Sequence, residues 1–323
     1  MDNTSRFLDL VGWSEAIVSP MAGDASTRTY KRLKLAGNTA ILLSSPDENI
    51  RPFLCIGSFL LRHKFSAPTI YAFSENWGLV LLEELGDYTL GKFILENGDQ
   101  LEYTLYEAAI DLLIDLVNKS TPQGLQVMNI PYLLSEIGLF TAWWRPQGVR
   151  ENVLLEHENT WKAAWASAYE HALSVPHGLA LKDFHADNLM WLPNRLNLKR
   201  VGLLDFQDAM IAPVCYDLVS LLQDARRDVS CSIESTMVDR FLDAFSGSDQ
   251  NLIRQSYYVL GVHRNFRILG VFSRLVERDR KEQYVHFMPR VWSHIEKHID
   301  QPALAPVREW LDRHVPNEDR SLR

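Results

Sequence analysis

Cysteine is scarce in this chain. Its 323 residues include three, Cys55, Cys215 and Cys231, odd in number, far apart and in no Cys-x-x-Cys pair. That spacing argues against a disulfide framework or a zinc ribbon and suits a reducing cytoplasm. No window approaches the roughly 18 apolar residues that a membrane span needs. The opening stretch MDNTSRFLDLVGWSE carries early acids and no long apolar run, so it does not read as a secretory signal. Basic clusters are missing too: RLNLKR (195–200) and RDRK (278–281) are short, and the formal net charge is −8. Nothing resembles an electrostatic footprint for nucleic acid. Repeats and low-complexity tracts are absent. The expectation is a cytoplasmic protein without nucleic-acid or membrane partners. A composition of 46% hydrophobic and 23% charged residues describes an ordinary globular chain, long enough for two domains.

The first part of the chain reads as strands. TYKRLKL (29–35) alternates, AGN (36–38) turns, and TAILLSS (39–45) is a second apolar strand. Residues 51–65 carry apolar side chains at helical spacing: Phe53, Leu54, Ile56, Phe59 and Leu60. APTIYAF and WGLVLLEEL flank SEN (74–76) as a second hairpin. After Leu85 the texture becomes helical. LEYTLYEAAIDLLIDLVNKS is amphipathic, 132–145 and 158–173 are further helix candidates, and LNLKRVGLLDF holds a short strand running into Asp205. From Tyr216 helices continue nearly to the end, with a long one across 251–278. The expected fold class is α+β in two lobes: a small antiparallel-sheet N-lobe over 1–84 and a larger, mainly helical C-lobe over 85–323.

Chemistry concentrates in LALKDFHADNLMWL (179–192). Asp183 and Asn188 stand five residues apart, and Asp205 follows at the end of an apolar strand. Phosphoryl transfer from ATP needs this set: one carboxylate to orient the attacking hydroxyl and accept its proton, an amide oxygen and a second carboxylate to hold Mg²⁺ against the phosphates. A polar turn capped by Asp and Asn would account for either piece alone, but not for both at this separation.

On these residues the sequence resembles the aminoglycoside phosphotransferase and choline kinase-like family. Within it the similarity is greatest to the bacterial anomeric sugar kinases that act on N-acetylmuramate and N-acetylglucosamine. The resemblance spans nearly the whole chain, through GDASTRTYKRL (23–33), LVLLEELGD (79–87), LFTAWW (139–144), LKDFHADNLMWL (181–192), VGLLDFQDAMIAPVCYDLVSLLQDA (201–225) and LGVHRNFRILGVFSRL (260–275). It implies a protein-kinase-like fold and transfer of the ATP γ-phosphate to a small-molecule hydroxyl, here the anomeric hydroxyl of a cell-wall amino sugar in peptidoglycan recycling, by a monomer or weak dimer. It implies ATP and Mg²⁺ as cofactors, Asp183 as general base, and Asn188 and Asp205 as magnesium ligands. GDASTRTY (23–30) would cover the phosphates, with Gly23, Ser26, Thr27 and Arg28 facing anionic oxygens. In LLEELGD the carbonyl of Glu83 and the N–H of Leu85 would meet the adenine edge. His185 is expected near the phosphates or hydrogen-bonded to its own loop, and Asp187 capping the loop or facing solvent. Asp208 is expected either at the metal and substrate or in a plain turn, and Asp217 bracing the catalytic loop.

One departure stands out: the strand TAILLSS has no lysine, where protein kinases place the one that holds the α- and β-phosphates. Arg28 and Lys31 are the candidate replacements, and a nucleotide-binding pseudokinase stays open. Acceptor contacts are expected from Trp143 and Trp144, which can stack on a sugar face, and from His263 and Arg264, which can hold a carboxylate or hydroxyls. An aminoglycoside, choline or homoserine acceptor is the alternative to the amino sugar. GDYTLGKF (86–93) falls one residue short of a phosphate loop, with Phe93 where the hydroxyl belongs. HIEKH (294–298) lacks the glutamate position and third ligand of a zinc site. DFHAD would need more histidines to be a metallohydrolase run.

Overall fold

The computed structural model describes residues 2–21, 28–98, 101–146 and 154–320, with only the backbone of Ser248 and Asn317. Packing divides the chain into two compact units. The first is Met1–Leu112 with Ala186–Ala209, and the second is Leu113–His185 with Met210–Arg323.

The first unit is built on a five-stranded antiparallel sheet in the order β1-β2-β3-β5-β4, formed by β1 (Ile17–Pro20), β2 (Thr29–Leu35), β3 (Asn38–Ser44), β4 (Ile70–Ser74) and β5 (Leu79–Leu82). Both expected hairpins are present. The β2–β3 turn uses Ala36 and Gly37 at φ +48° and +83°. The β4–β5 turn ends on Gly78, which lies in the left-handed region. Two elements precede them. Helix α1 (Asn3–Leu10) is capped by the Asp2 side chain, which accepts the Ser5 N–H at 2.7 Å. It plugs Phe7 and Leu8 into the sheet face carrying Leu33, Ala40, Leu42, Leu79 and Leu81. Strand β1 is exposed at every position and ends in proline, so neither alternation nor length announced it. It pairs antiparallel with β2, from Ile17 opposite Lys34 to Pro20 opposite Lys31.

Helix α2 (Arg51–Arg62) follows β3. Packing carries this unit past the expected boundary at 84/85. Helix α3 (Leu90–Asn97) and the hairpin of β7 (Leu189–Trp191) with β8 (Val201–Leu203) are fastened to it. The Leu203 N–H donates to the Ser66 carbonyl at 2.7 Å, the Trp191 N–H to the Tyr88 carbonyl at 2.8 Å, and Phe206 stacks on Phe53 of α2.

The second unit is helical, as expected. It receives the end of α4 (Glu102–Val117) and holds α5 (Ile130–Trp143), α6 (Glu158–Leu173), and the small pair β6 (His177–Ala180) with β9 (Met210–Pro213). Then come α7 (Tyr216–Leu222), α8 (Cys231–Leu242), the 31-residue α9 (Gly247–Glu277), α10 (Met288–His298), α11 (Ala305–His314) and α12 (Asn317–Arg320). Its core is aromatic: Phe140, Trp144, Trp161, Trp165, Phe266 and Trp292 meet in stacked and edge-on pairs. Such pairs add to the area they bury. No helix among the described residues is long and apolar enough to cross a membrane.

Candidate active site

The first unit encloses a cavity of about 310 Å³. Ile41, Phe53, Leu82, Met190, Leu204 and Phe206 wall it with apolar surface, and Arg28, Asn188 and Asp205 supply its polar end. That combination of a greasy slot and a few convergent polar groups is what a nucleotide-sized ligand requires. Asn188 closes the turn Ala186–Asn188 at the start of β7, and its carbonyl accepts the Leu204 N–H at 3.0 Å. Asp205 leaves β8 at φ +53°, a left-handed conformation that Asp tolerates better than most residues. The Gln207 amide donates to its Oδ1 at 2.8 Å, and Arg28 Nη1 lies 3.8 Å away. One amide oxygen and one carboxylate are hard donors suited to Mg²⁺, which keeps the rest of its shell for phosphate and water. Among the described residues no three His, Cys, Asp or Glu side chains gather as a metal cage.

Glu83, Leu85 and Gly86 follow β5 along the cavity. The Glu83 N–H is used by the Thr69 carbonyl at 2.8 Å, and its carboxylate takes the Thr69 N–H and hydroxyl and Arg195. Among the described residues, neither the Glu83 carbonyl nor the Leu85 N–H takes part in a backbone hydrogen bond. Of the expected phosphate loop, Gly23, Ser26 and Thr27 lie outside the described residues. Arg28 is in place, held by Glu48 at 2.8 Å. Asp208 is exposed and does not line the cavity. Asp187 is exposed, with its Oδ1 lying 2.5 Å from where a Cβ on Gly91 would stand.

In the second unit the chain leaves β6 and turns sharply. Lys182 is at φ +77°, a strained backbone for a side chain of that kind. The strain is held from α7. Asp217 accepts the Leu181 N–H at 2.6 Å and the Lys182 N–H at 2.9 Å, and the Ser220 hydroxyl donates to the Lys182 carbonyl at 3.2 Å. Asp217 is 1% exposed. Burial pushes its carboxyl up to about 7, against the pull of the two N–H donors. Asp183 follows the strained residue, and the His185 N–H closes the turn onto the Asp183 carbonyl at 3.1 Å. His185 is buried, which lowers its imidazole below the usual value against the field of Asp224, so at neutral pH it is uncharged. Its Nε2 faces Arg226 at 3.4 Å, an arrangement for positioning and not for supplying charge.

The acceptor candidates separate by burial. Trp144 is a core residue stacked on Phe140. His263 is fully buried, 2.7 Å from the Tyr169 hydroxyl, with its imidazole pushed down to about 4 by desolvation. Both belong to the packing of α5, α6 and α9. Trp143 is half-buried. Arg264 is buried, its Nη1 makes no hydrogen bond among the described residues, and its guanidinium lies in the fields of Tyr216, Asp183 and Asp224. Polarity alone could not separate Arg264 from His263 one residue earlier. Of the rejected patterns, GDYTLGKF holds the Thr89 cap of α3, and His294 and His298 are buried on α10.

The chain matches the Phosphotransferase enzyme family over residues 17–251, well over half its length. It belongs to that family. Among characterised relatives, this phosphotransferase is 33% identical to the N-acetylmuramate/N-acetylglucosamine kinase of Caulobacter vibrioides, over 98% of this chain and 97% of that one. It is 29% identical to the enzyme of the same name from Pseudomonas putida, over 90% of this chain and 86% of that one. Solved structures with the same fold include the Plasmodium vivax ethanolamine kinase and an aminoglycoside phosphotransferase bound to gentamicin. The first has a TM-score of 0.62 at 10% identity, covering 90% of this chain and 83% of that one. The second has a TM-score of 0.62 at 12% identity, covering 94% and 98%. The fold is therefore the protein-kinase-like one expected from the sequence.

Proposed function

We propose that this phosphotransferase is an ATP- and Mg²⁺-dependent kinase that phosphorylates the anomeric hydroxyl of N-acetylmuramate or N-acetylglucosamine in cytoplasmic peptidoglycan recycling. The observation that carries this reading is the cavity in which Asn188 and Asp205 meet an apolar slot edged by Glu83 and Leu85. The slot takes the adenine ring, with the Glu83 carbonyl and Leu85 N–H at its polar edge. Asn188 and Asp205 would hold the magnesium ion, which would supply charge neutralisation for the phosphates. The full-length relatives named for these amino sugars support the choice of acceptor.

Asp183 orients the sugar hydroxyl and accepts its proton as the new O–P bond forms and the bond to the β-phosphate oxygen breaks, releasing ADP. Five residues of chain connect Asp183 to Asn188, at most about 17 Å of reach. His185 and Asp217 fix the loop that presents Asp183. Arg264 is the acceptor-side cation for the lactyl carboxylate or ring hydroxyls, and Trp143 is the aromatic face available to a sugar. Catalysis is positioning and charge stabilisation more than covalent chemistry.

A coupled ADP-release assay tests the reading, with Mg·ATP and N-acetylmuramate, N-acetylglucosamine, kanamycin, choline and homoserine in parallel. ADP released with the amino sugars, and reduced by several orders of magnitude in Asp183→Asn with ATP binding kept, is the expected result. ADP with another acceptor would replace the substrate and keep the mechanism. ATP binding with no turnover on any acceptor would make the protein a pseudokinase.

A further inference from the structure

Lys182 stands directly before Asp183 with its backbone at φ +77°. In that left-handed region glycine is the unstrained choice. Two other basic residues share such a φ, Lys64 at +67° and Arg280 at +56°. Both are exposed and lie just past the ends of α2 and α9, where the conformation is common. Lys182 ends no helix, and its side chain is only 18% exposed. Strain of this kind persists where the surroundings impose it, and it collects at functional sites.

The backbone of Lys182 is tied at both ends, its N–H to Asp217 and its carbonyl to the Ser220 hydroxyl. The side chain is tied as well. Its Nζ lies 3.7 Å from Glu136 Oε1 on α5, an ion pair and not a hydrogen bond. The same ammonium sits 5.4 Å from the centre of the Tyr132 ring, one turn earlier on α5. Arg267 of α9 donates its Nε–H to that Glu136 oxygen at 2.8 Å. Burial works against the Glu136 carboxylate, but Arg267 and Lys182 outweigh it and hold its carboxyl below the ordinary value. The charge that faces Lys182 therefore persists at neutral pH. Glu136 joins α5, α9 and the turn before Asp183 at one oxygen. A glycine at 182 would fit the turn and leave it free to swivel. The clamped lysine removes that freedom at a cost in backbone strain. Glu136 Oε2 is buried and makes no hydrogen bond among the described residues, so a contact with an acceptor hydroxyl is the rival use of this carboxylate.

We propose that Lys182 and Glu136 are a positioning pair for the transfer step: the ion pair from α5 locks the strained turn and thereby aims Asp183. The proposal rests on the phosphotransfer reading with Asp183 as base. The test measures kcat and KM with Mg·ATP and each of the two amino sugars, together with the urea unfolding midpoint. The proteins are the native chain, Lys182→Gly, Glu136→Gln and the double variant Lys182→Gly/Glu136→Gln.

A misaimed base predicts kcat lower by about 10- to 100-fold in each single variant, with KM for ATP and sugar within about threefold. The midpoint of Lys182→Gly should be unchanged or raised, because glycine accepts φ +77° without strain. The losses should not add, leaving the double variant within about threefold of Lys182→Gly. Native kcat in Lys182→Gly would overturn the proposal, as would additive losses. A sugar KM raised tenfold at unchanged kcat would make the pair an acceptor contact and overturn it. A midpoint that falls in step with kcat would make Lys182 a plain structural brace, with the same consequence. Native protein that releases no ADP with either sugar would overturn the phosphotransfer reading and this proposal with it.

Discussion

Replacing Asp217 by asparagine should change stability by an amount that depends on pH. The native carboxyl titrates near 7, whereas the ordinary aspartate value is 3.8, a separation of about three pH units. At roughly 1.4 kcal/mol per unit, carrying that buried carboxylate costs about 4 kcal/mol once it is ionised in the folded state. The folded protein holds the proton more tightly than the unfolded chain. The stabilising contribution is therefore full below pH 3.8 and is lost as pH rises through 7. Asparagine does not titrate. It accepts one of the two loop N–H groups and turns its own NH₂ toward the other, leaving a buried donor unpaired at about 1 to 3 kcal/mol. At pH 4 the variant should be less stable by about that amount. At pH 8 the order should reverse or the gap should close, a swing of about 4 kcal/mol. Urea unfolding of both proteins at several pH values between 4 and 8 reads the difference directly, since the other titrating groups cancel. Tryptophan fluorescence suits the measurement, because Trp143, Trp144, Trp161, Trp165, Trp292 and Trp310 all lie in the unit that holds Asp217. A stability difference that stays flat across this range would refute the picture of a buried carboxylate bracing the loop.

Two further substitutions probe the helical unit. A Cβ on Gly270 of α9 would stand 2.4 Å from the carbonyl group of Leu139, backbone that cannot yield as a side chain would. Gly270→Ala should cost about 2 to 3 kcal/mol in chemical unfolding despite the better helix propensity of alanine. Burial raises the Glu234 carboxyl, but His298, Lys297 and the Tyr257 hydroxyl overcome this and leave it at about 2. Its contribution is present above the ordinary value of 4.5 and is lost as pH falls toward 2. Glu234→Gln should therefore lower stability by about 2 kcal/mol at pH 7, after allowing for the part-exposed lysine, with a smaller difference at pH 3.

Local pattern carried much of this molecule. TYKRLKL became β2 and residues 158–173 became α6, because alternation and helical spacing are properties of neighbouring residues. The meeting of Asn188 and Asp205 in the cavity lining was legible for the same reason: a loop and the next strand end are close in sequence. Elements held by distant partners were not. Strand β1 has no buried face of its own and exists through its pairing with β2, and α1 through the apolar sheet surface it covers. Glu48 met Arg28 across 20 residues, and Glu83 met Arg195 across 112, with no sequence signal for either pair. Trp144 and His263 are aromatic and polar in the way ligand contacts are, yet both are consumed by the core. Residue type gives the chemistry a side chain can perform, and only packing says whether it is available.

The first unit is assembled from two lengths of chain separated by residues 113–185. Strand β8 closes onto Ser66, and the Ser66 hydroxyl donates to the Lys199 carbonyl, a residue made 133 positions later. On a ribosome adding about 5 to 20 residues per second, the stretch from Leu112 to Ala209 takes about 5 to 20 s. For most of that interval the nascent sheet stands without Asn188, Asp205 and the Phe206 ring that stacks on Phe53. The nucleotide half begins first and finishes late. Its apolar slot lies open during synthesis, where a holdase chaperone would have something to grip, and a fragment ending at Leu112 would carry a sheet with no floor.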